Sequence, residues 1–405
     1  SDRRSVGRWA PLSPDAVGQP PTLQVDAWYL VTGGFGALGQ ELANALVSRG
    51  VRRLALIGRN GPGPDAQVNL ARLREQGAVI EEISCDVSSR EAVDQALSKL
   101  LDSGTWLAGI FHAAGTLDDG VLLQMNRERM QEVMRSKIAG AWNLHEASRA
   151  LESPPEHFVL FSSAASLLGS RGQGNYAAAN AWLDTLAHFR KQQGLPCISV
   201  NWGPWGEVGM AAELDELATR RMFDMGWTPL PINDGLHLLH KLLNSHLPQV
   251  GVLPLDFNRF VQQYPTGQIS TYFENVVSDT DKRDAADALG SGAALIKQIR
   301  ESDSEQRRNL IEDFLQERVG VLIGLSDDEK ADKTTEFPEL GIDSLLHMEL
   351  RTGLTRDLSI SLPMAQYLDH PSIEGLAELV MRQLALSSVS GAGMDDDEDM
   401  EEVTL

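Results

Sequence analysis

The sequence has almost no cysteine: only Cys85 and Cys197 among 405 residues. They stand far apart in apolar, strand-like runs, which argues against a disulfide framework or a cysteine metal cluster and fits a reducing compartment. There is no apolar run of the ~18 residues that a membrane span needs, and no secretory signal pattern. The expectation is a soluble, cytoplasmic protein with no membrane insertion. Positive charge is scarce, with 35 Lys and Arg against 57 Asp and Glu and a formal net charge of −22. Nucleic acids and anionic membranes are themselves polyanions, so both are poor partners for this chain. Partners with basic patches suit it better. Seven of the acids, Asp395, Asp396, Asp397, Glu398, Asp399, Glu401 and Glu402, crowd the last residues.

What is present is organised in blocks. A chain of this length predicts two or three folding units. Residues 1–24, rich in Pro, Arg and Ser without a period, read as a linker from an upstream domain. From Ala27 apolar strand runs at 28–31, 54–57, 79–84, 107–112, 157–161 and 197–201 alternate with helical patterns such as 40–48 and 91–100. That alternation predicts an α/β fold, a Rossmann-type doubly wound parallel sheet with helices on both faces. It stops near Phe260, and 262–306 reads as a tether with short helical pieces. At 307–323 an amphipathic pattern carries Leu310, Phe314, Val319 and Leu322, and two more helical patterns follow at 344–356 and 373–386. With no strand period between them, these predict a small all-α four-helix unit. After Ser387 the chain turns Gly/Ser-rich and then acidic, the composition of a disordered tail. The division expected is therefore linker 1–24, α/β domain 25–262, linker 263–304, helical domain 305–387 and tail 388–405.

The first strand runs into TGGFGALG at 32–39, which holds G-x-G-x-x-G at Gly34, Gly36 and Gly39, with Thr32 before it and Phe35 and Leu38 within. Following a strand and opening a helix, this is the context of a dinucleotide loop. Residues without Cβ let the backbone approach a pyrophosphate, and the helix N-terminus meets its charge. A tight structural turn is the plainer alternative. After the second strand stands Arg59, where NAD-binding folds carry an acid; an arginine there favours the 2′-phosphate of NADP. Asp86 and Val87 close the third strand, where a carboxylate can accept from an adenine amino group. Ala113, Ala114 and Gly115 close the fourth and leave room for a cofactor.

Seven motifs between residues 28 and 260, TGGFGALG, CDVS, HAAGTLDDG, KIAGAWNLHE, FVLFSSAAS, GQGNYAAANAWLD and NWGPWGEVGMA, resemble the ketoreductases of modular polyketide synthases, a branch of the short-chain dehydrogenase/reductases. The resemblance implies NADPH-dependent reduction of a β-ketoacyl thioester. Such a reaction needs a proton donor for the developing alkoxide and a second hydrogen bond to its oxygen. Tyr176 matches the donor, Ser163 the oxygen holder and Lys137 the cation, whose ammonium is expected to lower the tyrosine pKa. The wider superfamily places a lysine four residues after the tyrosine, where this chain has Asn180. In the polyketide branch the lysine comes from upstream, as Lys137 does, and Asn180 orients the lysine or a water in a proton relay.

Leu117, Asp118 and Asp119 match the signature of ketoreductases that give the D-configured hydroxyl, with a solvated turn as the plainer alternative. The opposite class has tryptophan where this chain has Leu168, and a variant handling epimerised α-substituents has proline where it has Ala178. The stretch 209–230 matches a lid helix, and the stretch 4–8 faintly resembles the end of an enoylreductase. The family pairs this catalytic half with a structural half upstream, and only about two dozen residues precede Ala27.

Leu340-Gly341-Ile342-Asp343-Ser344-Leu345 resembles the attachment motif of acyl carrier domains, which implies covalent 4′-phosphopantetheine on Ser344. A capping serine at a helix start is the plainer reading. Glu336, Glu339 and Glu349 suit docking on basic surfaces. The resemblance further implies upstream ketosynthase and acyltransferase domains, the missing structural half and a phosphopantetheinyl transferase as partners. The acidic C-terminus is a docking peptide for a next synthase subunit or offloading enzyme, or a mere solubilising tail. Two rival readings stand beside a carrier-coupled reductase: a carrier and scaffold segment whose reductase fold is silent, and a dehydrogenase of free small alcohols.

Overall fold

The computed structural model describes residues 8–13, 17–102, 104–208, 216–261, 271–273, 275–277, 290–323, 325, 330–342, 344–358 and 360–390. The chain divides into two compact units, Ala10–Asp256 and a second made of Ser1–Trp9 with Phe257–Leu405.

In the first unit, β1 (Trp28–Thr32), β2 (Arg53–Gly58), β3 (Val79–Ser84), β4 (Leu107–His112), β5 (His157–Ser163), β6 (Ile198–Trp202) and β7 (Gln249–Val252) form one sheet in the order β3-β2-β1-β4-β5-β6-β7. Every neighbouring pair is parallel. The helices between them are α1 (Ala37–Ser48), α2 (Pro64–Glu75), α3 (Arg90–Leu101), α4 (Arg127–Met134), α5 (Gly140–Arg149), α6 (Ala165–Leu168), α7 (Gly174–Gln192), α8 (Glu216–Asp224) and α9 (Ile232–Leu242). A π turn, Arg135–Ala139, joins α4 to α5.

Strand side chains alternate between faces, and both faces are dry. Tyr29 and Val31 join one core with Leu42, Leu46, Leu236 and Leu239. Trp28 and Leu30 join the other with Val93, Leu97, Leu144 and Leu183. Burial on both faces is why the strands read as unbroken apolar runs rather than as alternating ones, and it is the doubly wound arrangement expected. Helix starts follow local chemistry. The Ser89 side chain accepts from Ala92 N at 3.2 Å to open α3, and Asn126 accepts from Arg129 N at 2.9 Å to open α4.

Two elements differ from the sequence expectation. Strand β7 was not legible: it is four residues long, includes Gly251, and exists by pairing with β6. The stretch read as a free linker, 1–24, is partly laid on the fold. Leu23 is buried in the first core, the His240 ring bonds Pro21 O at 2.9 Å, and Asn244 Nδ2 donates to Gln19 O at 3.1 Å.

The second unit is helical: α10 (Phe257–Val261), α11 (Gly290–Glu301), α12 (Ser304–Ile323), α13 (Ser344–Leu358), α14 (Met364–Leu368) and α15 (Ile373–Ser390). Its core gathers Ile311, Leu315, Val319, Phe337, Leu354, Leu376 and Val380. Helix α11 lies within the expected tether, yet Ile299 is buried in this core with Leu295 and Ile296 packed against it. These three share one helix face, so a stretch read as tether by composition is held by burial. In the same unit Trp9 stacks edge-on against Phe257, Tyr272 and Phe273 at 5.5–5.8 Å. Among the described residues no helix is long and apolar enough to cross a membrane.

Three histidines of the α/β unit are buried and held neutral. Burial, with the nearby Lys137 ammonium, lowers His112 from 6.5 to about 3. Burial lowers His145 and His157 to about 4, with Arg190 and His240 adding to it. Each folded value lies below the unfolded one, so the unfolded chain binds more protons as pH falls from 6.5. Their stability contribution is complete above that pH and declines below it, by up to about 1.4 kcal/mol per pH unit for each histidine. The thermal midpoint should therefore fall between about pH 6.5 and 5, above the usual carboxylate range. A midpoint constant over that window contradicts the assignment.

Candidate active site

Strand order reverses between β1 and β4, and the crevice at the carboxyl ends of these strands is where open α/β sheets bind ligands. The residues singled out from the sequence converge there. Ser163 ends β5, Tyr176 and Asn180 lie in the first turns of α7, and Lys137 is the centre of the π turn. Turns of this kind are frequent at functional sites.

Lys137 is 4% exposed; its Nζ donates to Phe161 O at 3.0 Å and lies 5.3 Å from the Tyr176 ring centroid. Burial lowers the ammonium to about 8, against an opposing pull from the Asp184 carboxylate. Tyr176 is 8% exposed. Its hydroxyl is raised above the ordinary tyrosine value, chiefly by burial, and Asn180 and Ser163 draw it part of the way back. In the free protein desolvation of the phenolate outweighs those two hydrogen bonds. Asn180 is fully buried and donates from Nδ2 to Tyr176 O at 2.9 Å. Its Oδ1 is buried and has no hydrogen-bond partner among the described residues, a cost to the fold that an acceptor left open for a bound group would offset.

The loop after β1 has the shape of a phosphate cradle. Gly33 has φ +68°, and a Cβ there would meet Ala113 O and Ala114 N at 3.0 Å. At Gly34 a Cβ would come within 2.8 Å of Leu56 Cβ, and Gly39 packs on the backbone of Gly33 and Gly34. Gly36 is extended at the N-terminus of α1 with no side-chain cap, so the amides of the first turn are left to an outside acceptor. Leu38 and Phe35 pack partly on the first core. Thr32 turns inward: its Oγ1 lies 2.8 Å from His112 Nδ1 and accepts from Ala114 N at 3.3 Å, so it shapes the loop from behind.

At the end of β2, Arg59 reaches Glu132 at 3.4 Å, with about half of each side chain exposed (54% and 47%). A pair so open is weak and leaves the guanidinium available. Asp86 accepts from Ser88 N at 2.9 Å and Ser88 Oγ at 2.8 Å. Val87 is buried, and its carbonyl takes Asn143 Nδ2 at 2.9 Å. A Cβ on Gly115 would meet Lys137 Cε at 3.0 Å, which brings the end of β4 against the lysine. These residues fit a dinucleotide.

The loop after β4 is clamped to the approach to Tyr176. Asp118 pairs with Arg129 at 2.6 Å, Asp119 accepts from Gln173 Nε2 at 2.8 Å, Asn175 Nδ2 donates to Asp118 O at 2.8 Å, and Gly120 N to Gly172 O at 2.7 Å. Leu117 stays exposed. Sequence reading missed Arg129, which belongs to no motif, and gave no role to His112, which opens HAAGTLDDG. The signal for Arg129 was its place a few residues after two consecutive acids.

Of the stretch expected to form a lid, residues 209–215 lie outside the described residues, as do the enoylreductase-like stretch 4–7 and the acidic terminus 391–405. Ser344 is the first residue of α13; its side chain, like Asp343 and the Glu349 side chain, lies outside the described residues. Glu336 and Glu339, just before it, are exposed.

Comparison with known proteins agrees with this geometry. Residues 27–207 match the KR domain family, and residues 313–380 match the phosphopantetheine attachment site family. The chain is 35% identical over 393 residues to polyketide synthase GfsA of Streptomyces halstedii, covering 96% of this chain and 5% of that protein. It is 35% identical over 398 residues to the phenolphthiocerol synthesis polyketide synthase type I Pks15/1 of Mycobacterium marinum, covering 97% of this chain and 19% of that protein. The chain thus spans a small part of these relatives. Among solved structures, A-type ketoreductases from a modular polyketide synthase superpose with TM-score 0.61 at 33% identity, over 69% of this chain and 57% of that one. The first ketoreductase of the tylosin synthase superposes with TM-score 0.57 at 34% identity, over 66% and 57%. The chain thus carries a KR domain followed by a phosphopantetheine attachment site, and the relatives it matches are type I polyketide synthases.

Proposed function

We propose that the chain reduces a β-ketoacyl thioester, carried on its own Ser344 arm, to a D-configured β-hydroxyacyl thioester with NADPH. The observation that carries this reading is the convergence of Lys137, Ser163, Tyr176 and Asn180 at the carboxyl edge of β4 and β5, beside the glycine loop. NADPH, held by the Gly34–Gly36–Gly39 loop, Arg59 and Asp86, supplies the hydride when bound. Tyr176 donates its proton to the carbonyl oxygen, and its raised pKa keeps that proton in place until the alkoxide develops. Ser163 Oγ donates the second hydrogen bond to the same oxygen. The Lys137 ammonium, over the Tyr176 ring, stabilises the tyrosinate left behind, and Asn180 passes the replacement proton.

The reductase extends over 25–262 and the carrier over 305–387, with α11 packing on the carrier's core from the linker before it. The D outcome rests on Leu117, Asp118 and Asp119, whose loop is tied to Arg129 and Gln173 beside Tyr176. It is argued from those residues and not from overall likeness, since some structural neighbours are A-type by name. Upstream synthase domains and a phosphopantetheinyl transferase are the partners this reading needs, and the acidic terminus suits docking to a next subunit.

The test is a single turnover. With a β-ketoacyl phosphopantetheine on Ser344, addition of NADPH should raise the carrier mass by two hydrogens in step with loss of NADPH absorbance. Loading without reduction, in a folded preparation supplied with the upstream half, favours the silent scaffold. Chiral analysis of the released hydroxyacid checks the D configuration.

Arg59→Ala should raise KM for NADPH by about tenfold to a hundredfold, the scale of a charge-assisted hydrogen bond, and leave KM for NADH nearly unchanged. Equal losses for both cofactors would remove Arg59 from the 2′-phosphate site.

A further inference from the structure

One buried acid beside this site has no part in the chemistry proposed so far. Asp184 lies on α7 one turn beyond Asn180 and two turns beyond Tyr176, so helical spacing puts all three on one face. It is 6% exposed. A carboxylate is costly to bury unless its oxygens are met and its charge is opposed, and here both conditions hold. Oδ1 accepts from Ser199 Oγ on β6 at 2.6 Å. Oδ2 accepts from Asn201 Nδ2 on β6 at 2.8 Å and lies 2.7 Å from Ser166 Oγ on α6.

These partners lead back to the reacting groups. Ser166 Oγ is also 2.9 Å from Ser163 O, and Asn201 Nδ2 is 3.0 Å from Ser162 Oγ. Ser162 Oγ in turn donates to Asn180 O at 3.3 Å. The acid therefore ties the last residues of β5, the strand β6 and the catalytic helix at one point. Of the groups near Lys137, His112 on β4 and Tyr176 on α7 are neutral, and Asn180 carries no charge. The Asp119 carboxylate acts on Tyr176. Asp184 has the sign to oppose the loss of solvation at the buried ammonium, and it raises that ammonium against burial.

We infer that Asp184 is a positioning residue of the reductase, its two oxygens fixing the end of β5 that presents Ser163 and its charge serving as the buried counter-charge of Lys137. The inference rests on the reductase reading for its kinetic consequence, but the electrostatic pairing stands apart from it.

The test follows reduction of a small diffusible β-ketoacyl thioester by the whole chain across the alkaline limb of the pH–rate profile. The Lys137 ammonium is lost as pH rises through about 8. Removing a neighbouring negative charge lowers that value further. In Asp184→Asn the limb should move to lower pH by on the order of one unit, with KM for NADPH unchanged. Ser199→Ala keeps the charge and breaks one bond, so it should lower kcat and leave the limb in place. A limb unmoved in Asp184→Asn overturns the counter-charge. A kcat unchanged in Ser199→Ala overturns the positioning.

A thermal double-mutant cycle tests the pair without any turnover: Asp184→Asn should lower the thermal midpoint less in a Lys137→Met background than in the wild-type chain, and additive shifts overturn the pairing. If the wild-type chain itself reduces nothing, the reductase reading fails and the cycle still decides the pair.

Discussion

Tyr176→Phe removes one oxygen atom and should lower the single-turnover rate of reduction by about 10²–10⁴-fold, the range for loss of a positioned general acid. The size of the effect follows from the surroundings. Tyr176 is 8% exposed, so bulk water cannot replace it as proton donor. Ser163 can still hold the oxygen, but an aliphatic hydroxyl is a far weaker acid than a phenol in this role. Phenylalanine keeps the ring that Lys137 approaches at 5.3 Å and the packing with Val133 and Ala179. Thermal stability and NADPH affinity should therefore stay near wild type. The measurement is the hydroxyacyl product mass against time, with NADPH binding followed separately by fluorescence. Retention of more than a tenth of the wild-type rate would assign the proton to another group.

Ser344→Ala should give an all-or-none result of a different kind. The phosphopantetheinyl transferase adds its arm through an ester to a hydroxyl, and alanine has none, so intact mass should show no gain after incubation with coenzyme A. Reduction of a diffusible β-ketoacyl thioester should be unaffected, because the proposed reacting groups all lie in the α/β unit. Helix α13 should persist. Its core residues Leu350, Leu354 and Leu358 pack with Phe337 and Leu376, and loss of a capping hydroxyl costs only about 1 kcal/mol. The position also has a physical logic: Ser344 opens a helix of 15 residues, where amide dipoles favour a phosphodiester. Loading that persists in Ser344→Ala would move the attachment to another serine.

The two variants dissect the proposal. A chain that loses reduction in Tyr176→Phe but still loads, and loses loading in Ser344→Ala but still reduces free thioester, has two separable activities joined by a tether. Either variant losing both would point to a folding defect, which circular dichroism would reveal.

The sequence by itself determined the doubly wound sheet, the glycine loop and the four groups that meet near it. Each of these is encoded locally. Strands buried on both faces leave unbroken apolar runs, a loop that must approach a phosphate leaves glycines at fixed spacing, and the family motifs mark Lys137, Ser163, Tyr176 and Asn180 outright. Tertiary structure alone decided the rest. Strand β7, with Gly251 in a four-residue run, has no pattern of its own and is made by β6. Helix α11 was hidden in a polar, glycine-rich stretch until a core existed for Ile299. The π turn at Lys137 has no local signature; it accompanies the burial of the lysine against Phe161 O. Nor did the sequence reveal that burial raises Tyr176 against its hydrogen bonds from Asn180 and Ser163, or that Asp184 is tied to Ser199, Asn201 and Ser166. Pairings and desolvation depend on which distant segments meet, and that is a property of the packed molecule rather than of any window of its sequence.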